Sequence, residues 1–260
     1  MPKIMPRWML MDRYLDSNEI EIYKNYTGVW IDRYENGEKR IQWNLINGKK
    51  NGFAEGWFAD GTKQYRNYWK NHELEGRSES WSRSGSKTTI DFWVNGKREG
   101  PYIRFHENGN IAYKGIYKNG KQNGLFEHWF EDGSKEGNCI YINGVNDGEE
   151  IWWYRNGNKE HIRSWNLGKY ISEIEYNNDG TLKKKEFLDF KRDFFRREFY
   201  QKNKLHKIET EELIEGCWVI SSYSSEEEEL IKKEYRDQSE NFIKTEYFKD
   251  DKLIKTETKE

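Results

Sequence analysis

Apolar and polar residues alternate in short runs along most of this chain, and each run ends in a pair that favours a tight turn. Asn36-Gly37, Asp60-Gly61, Asn108-Gly109, Asp132-Gly133 and Asn156-Gly157 close one set of runs, with Ser84-Gly85 standing in once. Asn47-Gly48, Asn95-Gly96, Asn119-Gly120 and Asn143-Gly144 close a second set. Alternation with period two is a strand signal, and Asn-Gly between such runs marks a hairpin, because its turn needs the positive φ that these residues tolerate. Both sets recur every 24 residues, in step with Gly28, Gly52, Gly76, Gly100, Gly124 and Gly148, so six ungapped units of two strands and two turns follow one another. Helix fits this stretch poorly, since each unit carries three or four glycines, each costing about 1 kcal/mol relative to alanine in a helix interior.

A tandem period of this length means an array in which each unit buries its apolar face against its neighbours. The expected fold is all-β, an elongated, twisted array of antiparallel β-hairpin repeats. Residues 1–27 read as an N-terminal cap, with a half-repeat strand at residues 19–23, and residues 28–171 as the six repeats. Residues 172–260 read as degenerate hairpins or a capping segment, in which the period decays after Gly168. Helices are the alternative there, over residues 187–200, where Phe187, Leu188, Phe190, Phe194 and Phe195 fall near a helical period, and over residues 226–233 behind a Ser225 cap.

Two aromatic columns run through the units: Trp57, Trp81, Phe105, Trp129 and Trp153 five residues after the opening glycine, and Trp69, Trp93, Tyr117, Tyr141 and Trp165 seventeen after it. Recurring at the repeat period, they read as inter-repeat packing and are expected to be mostly buried. The first unit breaks both columns with Arg33 and Leu45, as a terminal repeat does. The variable columns at two, four and six residues after the glycine lie on the face opposite the first ladder. Trp30, Tyr102, Arg104, His106, Phe126, His128, Phe130, Trp152 and Tyr154 are the candidate partner-binding residues on that face. Variation on a fixed scaffold is what a partner-reading surface requires.

Composition changes the picture in two ways. Hydrophobic residues make up 34% and charged residues 35%, yet aromatics reach 16%, so rings rather than aliphatic side chains do the burying. Lys plus Arg number 44 against 46 Asp plus Glu, which disfavours nucleic acid as a partner. A local basic cluster, Lys183, Lys184, Lys185, Lys191, Arg192, Arg196 and Arg197, is interleaved with Glu186, Asp189, Asp193 and Glu198 and reads as a solvated mixed-charge face. Cys139 and Cys217 fit neither a zinc pattern nor a disulfide framework, and the histidines are scattered, so no catalytic residue, metal or cofactor is expected. The apolar run at residues 8–11 is shorter than a signal-peptide core and no stretch approaches a membrane span, which predicts a cytoplasmic protein.

The unit G-x4-W/F-x3-G-x-K-x5-W/Y-x-N-G-K, seen in part at residues 52–63 and again at 93–97, resembles the variant MORN repeat of bacterial proteins, including the YwqK-type antitoxins. Arg33, His72 and Leu167 depart from it, and the C-terminal third has no counterpart. The resemblance implies a non-catalytic protein-binding module, an antitoxin or immunity protein that neutralises a toxin by direct binding. Two other readings are a lipid or membrane-surface scaffold, to which the basic cluster would contribute, and a glycan-binding module with Trp and Tyr as stacking platforms.

Overall fold

The computed structural model describes residues 25–189, 194–214, 217–224, 229–237, 239, 241–250 and 252–258. Among them lie twenty-four antiparallel strands in an open sheet of hairpin-like repeats, and no helix. Two compact units divide the chain, Met1–Ser134 with Tyr141–Gly144 and Lys135–Ile140 with Val145–Glu260. The N-terminal strand expected at residues 19–23, and most of the cap, lie outside the described residues.

The two sets of turn pairs fold differently. In the first, Gly37 N donates to Tyr34 O at 3.0 Å and Tyr34 N to Glu38 O at 2.8 Å. With φ of 87° at Gly37 and a register slip between Asp32 and Arg33, this is a tight turn followed by a glycine bulge. Asn36 has no positive φ; its Oδ1 instead accepts from Glu38 N at 3.1 Å, and Asp60, Asn108, Asp132, Asn156 and Asp179 repeat that bond two residues on. In the second set both central residues are left-handed, as at Asn119 (φ 51°) and Gly120 (φ 79°), the geometry whose twist matches the flanking strands. Each second turn is tied to the preceding hairpin: Gly120 N donates to Arg98 O at 2.8 Å and Asn119 N to Glu99 Oε2 at 2.6 Å. Glu75 and Asp147 accept from Asn95 N and Leu167 N in the same way.

A bulge at the opening glycine breaks the strands that carry it. Around Gly52 (φ 104°) the pairing jumps from Trp43↔Ala54 to Leu45↔Lys50, and later in the chain the pieces Lys97–Arg98 and Gly100–Phe105 are one strand so interrupted. Bulges of this kind bend and twist a strand locally.

Alternation sorts the side chains onto two faces. One, the packed face, carries the opening glycine and the residues two, four, thirteen, fifteen and seventeen after it, as the pairs Trp30↔Trp43, Ala54↔Asn67, Ser78↔Asp91 and Tyr102↔Gly115 show. Trp30, Leu45, Ala54, Phe126 and Cys139 are buried there, with the carboxylates Asp32, Asp91 and Glu150. Each carboxylate has a partner: Arg40 on Asp32, Arg98 on Asp91 at 3.1 Å, and on Glu150 the indole N–H groups of Trp152 (2.7 Å) and Trp165 (2.8 Å). Three strand glycines are covered by rings on this face. A Cβ at Gly56, Gly115 or Gly137 would come within 2.2, 2.1 or 2.6 Å of Tyr65, Phe126 or Trp152.

The first aromatic column lies on the opposite, open face and is half-buried, not mostly buried. Its rings carry lysines instead of a second layer: Lys63 and Lys87 lie over Trp81 at 5.8 and 5.6 Å, and Lys39 over Trp57 at 5.4 Å. The second column shares the packed face and is likewise half-buried, with Lys50 over Trp69 at 4.6 Å and Arg98 over Trp93 at 5.1 Å.

Hairpins continue through the C-terminal third. Of the residues expected as a helix at 187–200, 187–189 and 194–200 belong to the strands Leu182–Asp189 and Phe194–Gln201, and 190–193 lie outside the described residues. Phe187 pairs with Arg196 on one face while Leu188 pairs with Phe195 on the other. Apolar residues on both faces erase the period-two signal and imitate a helical one. Of the second expected helix, residues 230–233 lie in the strand Leu230–Arg236, and residues 225–228 are outside the described residues.

Candidate functional site

The structure places all nine candidate residues on the packed face or at its rim, and it uses most of them internally. Trp30 and Phe126 are 0% exposed. Trp30 meets the Tyr26 ring edge-on at 5.5 Å, and Phe126 is enclosed by Tyr113, Tyr117 and Tyr141 with ring centroids at 5.4, 5.7 and 5.2 Å. Neither ring is open to a partner in this conformation, because the columns that vary are the ones that fill the packed face. Tyr102 contacts Tyr113 and Tyr117 at 5.7 and 5.5 Å, with Arg98 over its ring at 5.1 Å. Burial pushes its hydroxyl above the usual tyrosine range, against the pull of Arg98 and Arg104. His128 stands against Tyr113 at 4.6 Å.

Residues six after the opening glycine link one unit to the next. Tyr34 Oη donates to Trp57 O at 2.8 Å and Tyr154 Oη to Tyr176 O at 3.0 Å, and a ring nitrogen of His106 bonds Trp129 O at 2.7 Å. Phe130 holds the equivalent position, half-buried. Trp152 covers Gly137 and bonds Glu150. Arg104 alone of the nine is exposed. The structure thus brings Tyr102, Arg104, Phe126 and His128 together on one face of the first unit, around Tyr113, as packing rather than as an open platform.

The open face offers what the packed face does not. In the first unit a row of side chains crosses the strands through the pairs Val29↔Asn44, Phe53↔Tyr68, Arg77↔Phe92 and Pro101↔Ile116, and Leu125 occupies the same repeat position as Val29 and Phe53. Phe53, Ile116 and Leu125 are 46%, 54% and 48% exposed, and Val29 and Tyr68 are exposed as well. The signal was in the alternation: residues one and sixteen after the opening glycine must oppose those at two and seventeen, and they are apolar in most units. Single exposed apolar side chains are ordinary, but this row sets several of them side by side on an otherwise charged chain.

In the second unit the packed face becomes a grid of charges. Lys184 lies within 3.5, 3.4 and 3.0 Å of Glu173, Glu175 and Glu186, and Arg197 joins Glu186 (2.6 Å) to Glu209 (3.4 Å). Burial works against ionisation of Glu186, but the bonds from Arg197 and Lys184 hold its carboxyl below the usual carboxylate range. Of the basic cluster read from the sequence, Lys183, Lys184, Arg196 and Arg197 pair with carboxylates, and Lys191 and Arg192 lie outside the described residues. Among the described residues no group of three or more His, Cys, Asp or Glu is disposed to hold a metal ion, and no helix is long and apolar enough to cross a membrane.

This architecture defines the class, an open-sheet β-hairpin repeat protein. No family model matches the chain, and no curated protein matches it. Among solved structures, the crystal structure of TcdB2-TccC3 without its hypervariable C-terminal region is similar at a TM-score of 0.18 and 9% identity, over 85% of this chain. The chain spans 17% of the length of that one.

Proposed function

We propose that this chain is a non-catalytic, protein-binding repeat module of the variant MORN kind, an antitoxin or immunity protein that neutralises a toxin by direct binding. The observation that carries the reading is the exposed apolar row of Phe53, Tyr68, Ile116 and Leu125 on the open face of a regular scaffold. A partner covering it would gain about 25 cal/mol for each Å² of apolar surface removed from water. The lipid-scaffold reading is weaker, because Lys183, Lys184, Arg196 and Arg197 already pair with carboxylates of the chain. A glycan platform is weaker too, since lysines occupy the faces of Trp57 and Trp81.

The test is a growth-rescue assay with the product of the adjacent gene, combined with co-purification of the two proteins. Rescue and a stable complex are expected from the parent chain. Both should be lost in the triple variant Phe53→Asp, Ile116→Asp, Leu125→Asp with its β-type circular dichroism and cooperative melt intact. Rescue by the triple variant at parental strength would remove the open face from the reading, and a harmless neighbour that does not bind would remove the antitoxin role.

A further inference from the structure

Along the packed face, a cation repeatedly sits between aromatic rings and a carboxylate of the chain itself. Arg98 is the fullest case: it lies over Trp93, Tyr102 and Tyr117 at 5.1, 5.1 and 5.5 Å and bonds Asp91 at 3.1 Å. One place in the second unit has the rings and the carboxylate, but among the described residues no cation bonds that carboxylate.

A cavity of about 330 Å³ opens there, lined by Leu188, Phe194, Phe195, Glu211 and Trp218, with Asp189 and Arg197 at its sides. The pairs Leu188↔Phe195, Phe195↔Glu211 and Leu213↔Trp218 place Leu188, Phe195, Glu211 and Trp218 on one face of adjacent strands, while Phe194, the first residue of its strand, lines the cavity from the strand's end. A second cavity of about 260 Å³ adjoins it, sharing Phe195, Arg197 and Glu211. Arg197 is committed elsewhere, to Glu186 at 2.6 Å and Glu209 at 3.4 Å, and its guanidinium stacks over Phe195 at 4.7 Å. That contact shows the wall already accepting a cation. In the neighbouring cavity Lys207 pairs with Glu209 and both Lys232 and Arg236 pair with Glu234. Among the described residues the Glu211 carboxylate has no hydrogen bond or ion pair.

From this juxtaposition we infer that the cavity formed by Phe194, Phe195, Glu211 and Trp218 receives a cationic side chain, lysine or arginine, of a protein partner. Aromatic faces attract a cation through the ring quadrupole, most strongly where water is partly excluded, and an unpaired carboxylate beside them supplies the countercharge. The apolar wall of Leu188 and the rings suits the methylene stem that such side chains lay along apolar surface. That the cation arrives on a protein rests on the binding role proposed above; the affinity of the cavity for a cation does not.

The experiment uses the full chain, labelled at its indole nitrogens, with the Trp218 signal assigned by its loss in Trp218→Phe. It is titrated with acetyl-Gly-Lys-Gly-amide, with the same peptide carrying norleucine for lysine, and with tetramethylammonium chloride. The lysine peptide is expected to move the Trp218 signal saturably and the norleucine peptide to leave it in place. Glu211→Gln should weaken the lysine peptide about five-fold, while Glu212→Gln, one residue on and on the other face, should not. An unmoved Trp218 signal, equal shifts from both peptides, or full affinity in a Glu211→Gln chain that melts like the parent would each overturn the inference. A response to tetramethylammonium alone would overturn the protein source of the cation. Because the probes are small peptides, a failed growth rescue leaves this result readable, and the reverse.

Discussion

Leu167 holds a left-handed φ of 48° at a position where the five other units have asparagine. A branched side chain in that region costs roughly 1–2 kcal/mol, whereas asparagine tolerates it. Leu167→Asn should therefore stabilise the chain by about 1 kcal/mol, read as a higher denaturant midpoint at unchanged slope. The turn glycines and asparagines were legible from spacing alone because backbone sterics dictate them locally. Gly115 was not, since its need arises across strands: an added Cβ would meet the Phe126 ring at 2.1 Å. Gly115→Ala should destabilise by about 1–3 kcal/mol through overpacking. His161 gives a pH signature at the same scale. Burial first, then the charge of Arg163, lowers its pKa below 6.5, so it is held neutral in the fold. The unfolded chain then binds more protons below about pH 6.5, and stability falls as pH drops through that window. His161→Gln should flatten the slope of unfolding free energy between pH 7 and pH 5.

At the scale of the element, the hairpin survives where its sequence signal fades. Lys202 and Asn203 take φ of 51° and 63° and make the same left-handed pair of turn residues that Asn-Gly makes earlier, without a glycine to announce it. The strands Leu182–Asp189 and Phe194–Gln201 carry apolar residues on both faces, so Phe187, Leu188, Phe194 and Phe195 suggested a helix when read without their partners. The faces suffered likewise: alternation set the variable columns opposite the first aromatic ladder, yet which side would be packed depended on side chains meeting across strands, information absent from any one strand. These later strands bury Ile208 and Val219, and beside that apolar core they carry a charge network centred on Glu186, whose carboxyl is kept below the usual range although burial opposes it. A depressed carboxylate contributes stability that is present above its unfolded pKa of about 4.3 and lost as pH falls through the folded value. Parent chain unfolded by denaturant at pH 6 and pH 3 should lose more stability than Glu186→Gln does over the same interval. Equal losses would mean that the Lys184–Glu186–Arg197 network adds nothing.

For the molecule as a whole, the energetics follow from neighbour-to-neighbour ties, because every recurrent link reaches one hairpin away. Asn108 Nδ2 donates to Glu131 O at 2.6 Å, and Asn119 N to Glu99 Oε2 at 2.6 Å, so turns of each kind are stitched to turns of their own kind in adjacent hairpins. In such arrays stability is close to a sum of unit terms and interface terms. Removing residues 76–99, one full period, joins Glu75 to Gly100 and sets Glu75 where Glu99 had been, with the same carboxylate to accept from Asn119 N. Leu74 replaces Arg98, so the Asp91 pair is lost together with Asp91 itself and no buried charge is stranded. This shortened chain should keep its β-type circular dichroism and melt cooperatively. Removing only residues 88–99 takes out one strand and one turn, which carries every later turn to the opposite end of its strand and breaks both sets of turn-to-turn bonds. That chain should lose its cooperative melt, although it is the smaller deletion. If the two deletions melted alike, the 24-residue unit would not be the unit of stability, and hairpin packing without register would have to account for the fold.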